Sequence, residues 1–395
     1  GRLSKCPFIL PFKKEILFFF SPKDINEILQ PKYKVEGENV EFSFYLPIAG
    51  VNKPIEIKKV YKTKGIGAGE GTIIGTDVPV IEIFPNYLDQ HWRRYYVFQG
   101  NAENVSINPI VFGENQITER IHDEMSVEPK QKVKITEIQG SSAFPEGLEI
   151  KNAAVTECRG VVLIKRPQLP SSLSKKWRIG VDFGTSNTNV FKQSSTSELA
   201  ERWQFNFSSY IRCISNSNDE VRGKFLENHF VPSQSIELPV PTTLKIYNLA
   251  QMNNLLLDYF IFFPSAYQLP RNVFTDIKWD TEGEPKTKYF MESLLFLLLV
   301  EAVDQRIEEV EFACSYPKAF SETNVAVLKN AWEQVLKKML EEQHRILDRH
   351  KDASDVSKIK VIWPVFKTEG IAAGEYFGSE KTIPSIHERA KKEIA

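Results

Sequence analysis

The sequence predicts a multidomain protein in which an all-β, sandwich-like domain is followed by an α/β lobe. Over the first part of the chain, apolar and polar residues alternate with the period of two that marks β-strands. A stretch rich in proline and serine then occupies residues 166–176, as is typical of a linker. Beyond it, short apolar strands alternate with long helical patterns, as in α/β folds. We therefore expect a β-rich domain at 1–168, a linker at 169–176 and an α/β lobe at 177–395.

Length, charge and cysteine content limit the class of protein. The 395 residues carry 50 basic and 51 acidic side chains, and the net charge of −1 gives no support to nucleic-acid or anionic-membrane binding. The four cysteines lie far apart, which disfavours a zinc site or a disulfide framework and fits a cytoplasmic location. The most apolar run, 293–303, is far shorter than the roughly 20 residues that span a bilayer, so it predicts a buried helix.

The expected strands of the first domain begin with NVEFSFYL at 39–46, where Val40, Phe42 and Phe44 alternate with more polar residues. Five further runs of this kind, separated by Gly, Pro and Asn, follow at 55–61, 78–84, 94–98, 132–138 and 160–165. One short helix is expected at SPKDINEIL, residues 21–29.

Two stretches of the first domain allow more than one interpretation. KGIGAGEGT at 64–72 is rich in glycine, but its spacing matches neither a dinucleotide fingerprint nor a P-loop, so we favour a flexible hairpin tip. PNYLDQHWRRYYVF at 85–98 is either a binding surface or an aromatic core, since aromatic residues and arginine are frequent in interface hot spots. We favour the aromatic core, with Arg93 and Arg94 solvated.

The α/β lobe is predicted from strands and helices in alternation. After the first strands come a helix at 289–310, a strand at 310–317, a helix at 321–347, a strand at 359–366 and a small-residue helix at 368–377. The helix at 321–347 is amphipathic, and Ser321 is its expected N-cap. Its apolar positions, spaced by three and four, are Val325, Leu328, Trp332, Val335 and Met339. This order of elements favours a mixed sheet.

A stretch of small polar residues, IGVDFGTSNTNVF at 179–191, lies at the start of the lobe. It is either an ordinary hairpin turn or a loop that holds phosphate. A two-residue hairpin favours Asn-Gly or Gly-Gly, whereas this turn is longer and rich in hydroxyl groups. Gly184 would let an anion approach the backbone, and successive N–H groups of a tight turn bind anions. The residues expected to cradle phosphate are Gly184, Thr185, Ser186, Asn187 and Thr188.

Asp182 lies at the end of the strand before this turn, where a carboxylate would repel a bare phosphate. Its position is understandable if a hydrated Mg²⁺ ion stands between the two, because Mg²⁺ keeps several waters and binds through one or two carboxylates. Strand, Asp, Gly and a Thr/Ser-rich turn in this order resemble the first phosphate motif of the actin-like ATPase superfamily. That superfamily includes the seventy-kilodalton heat-shock chaperones, actin with its bacterial relatives, and the sugar kinases.

Further segments resemble the chaperone branch of the same superfamily. EFACSYPKAFSETNVAVLKNAWEQ, at 311–334, resembles its strand ending in Pro and the long helix that follows. FKTEGIAAGEYF resembles its first connecting helix, with Glu369 at the acidic position, and FTDIKWD resembles the segment whose lysine, here Lys278, reaches the γ-phosphate. The resemblance implies an actin-type lobe of the ribonuclease-H-like fold, with ATP and Mg²⁺ as cofactors. It also implies catalytic roles: Asp182 holds the Mg²⁺ shell, Lys278 steadies the γ-phosphate and Glu369 positions the attacking water.

The chain departs from this pattern at two positions. Trp279 follows the lysine where the family usually has Arg, and Gly370 follows the glutamate where the family has Pro or a similar residue. Lys278 is therefore alternatively a surface lysine on a strand or turn. The resemblance covers about residues 177–378, which correspond to the first lobe of a two-lobed ATPase, while residues 1–168 resemble no family.

The expected function is that of a chaperone-like or actin-like ATP-binding protein whose β domain binds a protein partner. After Ala373 only 22 residues remain, without a second phosphate loop, so we expect a truncated ATPase with weak or absent hydrolysis. The alternative is a non-catalytic scaffold, or pseudo-ATPase, and magnesium-dependent ATP binding by a longer form of the chain would separate the two. A sugar kinase is less favoured, because no motif for a sugar pocket is found.

Overall fold

The computed structural model of the protein describes 17 segments of the chain. They are 8–37, 39–62, 73–74, 80–89, 92–100, 105–111, 117–122, 135–152, 158–164, 172–197, 199–214, 235–236, 239–246, 259–261, 272–279, 286–342 and 359–371. The glycine-rich stretch at 64–72 and residues 372–377 of the last expected helix lie outside the described residues.

The chain forms two compact units, each made of several segments. Unit 1 comprises residues 1–88, 93–169 and 209–225, and unit 2 comprises 89–92, 170–208 and 226–395. Residues 209–225 return to unit 1 after the chain has entered unit 2, because a strand at 212–214 pairs with the strand at 80–84. No sequence pattern indicates this return.

Most of the regular structure is β-strand. In chain order the first twelve strands are β1 (Phe8–Ile9), β2 (Lys32–Glu36), β3 (Asn39–Leu46), β4 (Ile55–Lys62), β5 (Ile73–Ile74), β6 (Val80–Phe84), β7 (Tyr95–Gly100), β8 (Val105–Ile110), β9 (Ile117–His122), β10 (Ile135–Ser141), β11 (Gly147–Asn152) and β12 (Cys158–Leu163). The others are β13 (Lys175–Phe183), β14 (Asn187–Ser194), β15 (Glu201–Arg202), β16 (Phe205–Asn206), β17 (Arg212–Ile214), β18 (Ser235–Ile236), β19 (Val240–Pro241), β20 (Leu244–Ile246), β21 (Tyr259–Ile261), β22 (Val273–Phe274), β23 (Ile307–Tyr316) and β24 (Lys360–Thr368). The α-helices in the described segments are α1 (Pro22–Asp24), α2 (Lys286–Asp304) and α3 (Glu322–Lys337).

Unit 1 contains separate antiparallel sheets. A five-stranded sheet has the order β17-β6-β7-β10-β9, two three-stranded sheets have the orders β12-β11-β8 and β2-β3-β4, and β1 pairs with β5. The expected β-rich character of the first part of the chain is confirmed. The helix expected at 21–29 is also present, as α1 and a π-helical turn at Ile25–Leu29. Ser21 and Asp24 form a capping box at its start.

One hydrophobic core of unit 1 lies under the sheet β2-β3-β4. It is formed by Phe12, Leu17, Ile25, Leu29 and Val161. Phe42 and Phe44 of β3 pack on it, with their ring centroids 5.3 and 5.5 Å from that of Phe12. Both side chains lie on the same face of β3, as the alternation in NVEFSFYL predicts.

The segment at 85–98 supplies buried aromatic side chains. They are Tyr87, Trp92, Tyr95, Tyr96 and Phe98. The interpretation of this segment as aromatic core is therefore confirmed. The expectation that Arg94 is solvated is wrong, because Arg94 directly precedes the buried strand β7 and is itself only 4% exposed.

Unit 2 is organised around a mixed sheet of order β15-β14-β13-β23-β24, with β19 paired to β14 at one end. β13 and β14 form an antiparallel hairpin, whereas β13, β23 and β24 run parallel. The buried side chains of β13 alternate along the strand and so share one face: Trp177, Ile179, Val181 and Phe183. The prediction of an α/β arrangement with a mixed sheet is confirmed at this level.

The helices of unit 2 agree with the predicted periodicity but differ at their ends. α2 is buried almost throughout, as the apolar run at 293–303 predicts, yet it ends at Asp304 and not at residue 310. Arg306 adopts a left-handed conformation with φ 61°, which stops the helix, and β23 starts at the next residue. Among the described helices, none is both long enough and apolar enough to cross a membrane.

The amphipathic helix α3 begins as its sequence predicts. The Ser321 side chain accepts a hydrogen bond from the backbone N–H of Asn324, which makes it the N-cap. Leu328, Trp332 and Val335 are buried, while Val325 is half-buried near the start. A π-helical turn at Lys338–Glu342 continues α3, and residues 343–347 of the expected helix lie outside the described residues.

A buried carboxylate, Glu292, lies on the face of α2 that meets β21 and α3. It accepts a hydrogen bond from the Tyr259 hydroxyl, and Lys338 Nζ lies 3.3 Å from Glu292 Oε1. Burial raises the pKa of Glu292 above its ordinary value of 4.5, although the charge of Lys338 opposes the rise. The protonated carboxyl group is therefore favoured by folding.

Because of the raised pKa of Glu292, the free energy of unfolding should fall as the pH rises. A carboxyl group with a raised pKa contributes stability that is complete below its unfolded pKa and is lost as the pH passes through the folded-state value. Chemical denaturation of the wild type and of Glu292→Gln, between about pH 4 and pH 8, should show the wild type weakening relative to the variant. Glu333→Gln, on the exposed face of α3, is the control, and a parallel course of all three curves would contradict the expectation.

Candidate functional site

The carboxyl ends of three parallel strands of unit 2 meet at one edge of the sheet. Asp182 of β13 lies opposite Ser315 of β23, and Tyr316 of β23 lies opposite Thr368 of β24. Glu369 follows β24 directly. In open α/β sheets, this edge is where ligands bind. Two of the three predicted catalytic residues are thus carried to it by neighbouring parallel strands.

Asp182 has a direct hydrogen-bond partner that the sequence did not indicate. The Ser315 hydroxyl donates to Asp182 Oδ1 at 2.6 Å, the length of a charge-assisted bond. Both side chains are half-buried. Because the two strands are parallel and in register here, the bond fixes the direction of the carboxylate. Only the strand pairing could reveal this contact, since 133 residues separate the two.

The turn after Asp182 is tighter than the sequence predicts. β13 ends at Phe183 and β14 begins at Asn187, so the turn consists of residues 184–186. A Cβ atom on Gly184 would lie 2.1 Å from the backbone oxygen of Asn187. Glycine is therefore required by closure of the turn itself, and this is a stronger reason than the access for an anion that the sequence suggested.

The residues expected to cradle phosphate differ in exposure. Ser186 and Asn187 are exposed and Thr185 is half-buried, so their polar groups lie near the surface. Thr188 is completely buried, and its hydroxyl shares a hydrogen bond of 2.8 Å with that of Thr242. The Thr188 side chain is thus used in a buried hydrogen bond inside unit 2. The expectation that its hydroxyl group faces the phosphate has no geometric support.

Thr242, which directly follows β19, supports the turn. Its backbone N–H donates to Ser186 O at 2.9 Å, and the preceding β19 pairs with the first residues of β14. Thr242 thus bonds to the last residue of the turn, Ser186, through its backbone and to Thr188 of β14 through its side chain. Nothing in the local sequence around Thr242 indicated this role.

Lys278 is buried and lies beside Glu369. It sits on a 3₁₀ turn, Ile277–Trp279, that the Thr287 hydroxyl ties to α2 through Ile277 O at 2.7 Å. The lysine side chain is only 2% exposed, and its Nζ atom lies 3.2 Å from Glu369 Oε1. The alternative interpretation of Lys278 as a surface lysine is therefore wrong.

Two aromatic rings surround the Lys278 ammonium group. Nζ lies 5.8 Å from the ring centroid of Phe183 and 5.7 Å from that of Phe320. Phe183 is the residue after Asp182, so this contact brings the lysine to the end of β13 that precedes the turn. Rings at these distances attract a cation and exclude water from one side of it. Both aromatic residues were missed by the sequence analysis.

The metal site that the sequence predicts depends on Asp182. Within the described segments, no group of three or more His, Cys, Asp or Glu side chains could hold a metal ion. Asp182 provides a single oriented carboxylate, which suffices for Mg²⁺ that keeps most of its waters. Burial raises the pKa of the neighbouring Cys314 thiol, so this cysteine is a poor thiolate ligand.

The comparisons with known proteins find no relative. No family model, no curated protein and no solved structure matches the chain. The resemblance to the actin-like ATPase superfamily therefore stays a prediction, and it depends on the residues and contacts described above.

Proposed function

We propose that unit 2 contains an ATP- and Mg²⁺-binding lobe of the actin-like ATPase type. The observation that carries the proposal is the ion pair between Lys278 and Glu369, at 3.2 Å. These residues come from two separate segments, 91 positions apart, that were each assigned to the nucleotide site by resemblance alone. Their contact at the strand ends places both side chains where the resemblance puts the γ-phosphate and the attacking water.

The order of elements gives further support. A strand ending near Asp182, a tight glycine turn and a returning strand come first, followed by β23, α3, β24 and then Glu369. This is the order of pieces that the resemblance implies. The assignment of the lobe to the ribonuclease-H-like, actin-type fold is part of the same proposal.

Each residue of the site would then act on the triphosphate in its own way. Asp182, oriented by Ser315, would accept hydrogen bonds from the water shell of Mg²⁺. The backbone N–H groups of residues 185–187 would donate to phosphate oxygens, whereas the N–H of Gly184 already donates to Asp182 O at 3.1 Å. The bound Mg²⁺ would neutralise phosphate charge.

Lys278 and Glu369 would act as a pair. An ammonium group has three donors, so Lys278 can keep its bond to Glu369 while donating to a γ-phosphate oxygen. Glu369 is 45% exposed and can accept a hydrogen bond from water at the same time. The low exposure of Lys278 strengthens its electrostatic effect, because little water screens it.

The second candidate is a non-catalytic scaffold that keeps the fold. Burial of the Thr188 hydroxyl, together with Trp279 after the lysine, favours this alternative. Under it, Lys278 and Glu369 form a structural ion pair and bind no phosphate. Nucleotide binding separates the two candidates directly.

Calorimetric titration of the chain with ATP, with and without Mg²⁺, tests the proposal. We expect magnesium-dependent binding that Asp182→Asn and Lys278→Met each weaken by at least about tenfold, since a hydrogen bond to a charged group contributes roughly 1.5–3 kcal/mol. Lys329→Met removes the same charge from the exposed face of α3 and should bind ATP like the wild type. Absence of ATP binding by the wild type, or an equal loss in all three variants, would leave the scaffold as the better description.

A further inference from the structure

The strand β2 is an exposed edge strand of unit 1. All five of its residues are exposed, with Tyr33 at 79% and Val35 at 63%. Within the described residues, β2 pairs only with β3, so its other edge carries backbone N–H and C=O groups without a strand partner. Such an edge is a template for pairing with another strand.

The apolar face of the sheet continues onto this edge. Tyr33 lies opposite Phe42, and Val35 lies opposite Val40. Directly opposite residues share a face, and Phe42 packs on the hydrophobic core. Tyr33 and Val35 therefore extend the core-facing surface of the sheet, but their side chains are exposed to solvent.

The charged residues of β2 lie on the other face, in the order Lys32, Lys34, Glu36. Lys34 Nζ contacts Glu36 Oε1 at 2.5 Å. Lysines on an edge usually discourage strand pairing. Here one end of the strand is basic and the other acidic, so opposite charges meet when the strand faces a reversed copy of itself.

We propose that β2 pairs antiparallel with β2 of a second copy of the chain, about a two-fold axis at Lys34. In this register Lys32 lies opposite Glu36 of the second copy, and Tyr33 lies opposite Val35 of the second copy. Along β2, alternate residues direct their backbone N–H and C=O groups away from β3. In this register odd-numbered residues lie opposite odd-numbered ones and even-numbered opposite even-numbered, so these outward groups of the two copies can bond to each other. The interface is isologous, as in most two-fold dimers.

This pairing joins three strands of each copy into one continuous sheet. Tyr33 and Val35 gain apolar neighbours across the axis, on the face that already covers the core. Lys34 meets its own equivalent, but each Lys34 contacts a Glu36 in its own chain, which offsets the repulsion. The contact area is that of one short strand, so the dimer is a weak, concentration-dependent one.

Sedimentation velocity over about a hundredfold range of protein concentration tests the dimer, because oligomers dissociate by mass action. We expect the wild type to dimerise at the upper end. Glu36→Lys and Lys32→Glu each place like charges across the axis, so each variant alone should remain monomeric. An equimolar mixture of the two should associate, because residues 32 and 36 then lie opposite each other with opposite charges, as in the wild type. Monomeric wild type throughout the range, or no association in the mixture, would overturn the proposal.

A matched pair of valine variants tests which edge is used. Val35→Lys on β2 and Val60→Lys on β4 make the same change at exposed positions, 63% and 48% accessible, on opposite edges of one sheet. Val35→Lys should shift the wild type to monomer, and Val60→Lys should leave the dimer intact. Circular dichroism of all variants checks that the fold is kept, as expected for exposed positions. Dissociation by Val60→Lys, with the dimer retained in Val35→Lys, would contradict pairing through β2.

Discussion

Replacement of Gly184 by alanine is expected to abolish the nucleotide binding that we propose and to destabilise unit 2. A Cβ atom at this position would lie 2.1 Å from Asn187 O, and backbone cannot yield as a flexible side chain can. The turn must open, which changes the position of its N–H groups relative to Asp182. Overpacking of this kind costs about 1–3 kcal/mol, and the ATP titration should show no binding. Urea denaturation measures the first effect and calorimetry the second.

Gly180→Ala is the matched control for this prediction. Gly180 lies on the same strand, β13, but a Cβ atom there meets nothing within 4 Å. Alanine in a strand also loses less backbone entropy than glycine on folding, so this variant should be as stable as the wild type or slightly more stable. If the two variants bound ATP equally and were equally stable in urea, glycine at position 184 would be required neither for ATP binding nor for closure of the turn.

Replacement of Glu301 by alanine is expected to cause the largest loss of stability. Glu301 on α2 is 4% exposed, and its carboxylate accepts hydrogen bonds from two buried donors. These are Lys192 Nζ at 2.7 Å and Trp203 Nε1 at 2.6 Å. Its removal leaves a buried ammonium and a buried indole N–H without this acceptor. Breaking one partner of a buried ion pair costs about 3–5 kcal/mol. The midpoint of urea denaturation should fall accordingly, without a change in slope.

Glu201→Ala provides the control, because Glu201 is the other carboxylate near the same lysine. Its oxygen lies 3.6 Å from Lys192 Nζ, but its side chain is 71% exposed. An exposed ion pair contributes only about 0–1 kcal/mol, so the loss should be several-fold smaller than for Glu301. A comparable loss in both variants would show that Lys192 is stabilised by charge alone and not by the buried contact.

Both predictions concern the strand that follows the turn. Lys192 is on β14, five residues after Asn187, and Glu301 fixes that strand to α2. Thr188 fixes the start of the same strand to Thr242. The turn is thus held by a strand that is anchored at both ends, and this rigidity is what a preorganised phosphate site requires.

Local patterns predicted the secondary structure well where the pattern is long. The period of two in NVEFSFYL and the spacing of apolar residues in α3 each reflect one buried face, which is a local property of the sequence. The end of α2 was missed, because the left-handed conformation of Arg306 occurs at a residue that carries no glycine or asparagine signal. The burial of Arg94 was missed for a related reason, since it depends on what surrounds β7.

The candidate site was predicted in part. Asp182, Gly184, Lys278 and Glu369 were selected from short motifs, because each motif places a specific chemical group at a strand end or turn. Ser315, Thr242 and Phe320 were not selected, since their contacts join segments that are far apart in the chain. The interior direction of Thr188 could not be read either, because a hydroxyl serves equally as a ligand donor or an internal bond.

The sequence by itself determined the mixed α/β pattern of the second unit, the glycine turn after Asp182 and six strands of the first unit, namely β3, β4, β6, β7, β10 and β12, because these follow from periodicity and from backbone geometry within a few residues. It did not indicate β2, β8, β9 or β11. Only the tertiary structure decided that Lys278 is buried against Glu369, that Ser315 holds Asp182, and that residues 209–225 return to the first unit. Those facts depend on which strands pair and in which register. Contacts between segments a hundred residues apart leave no signal in the local sequence pattern.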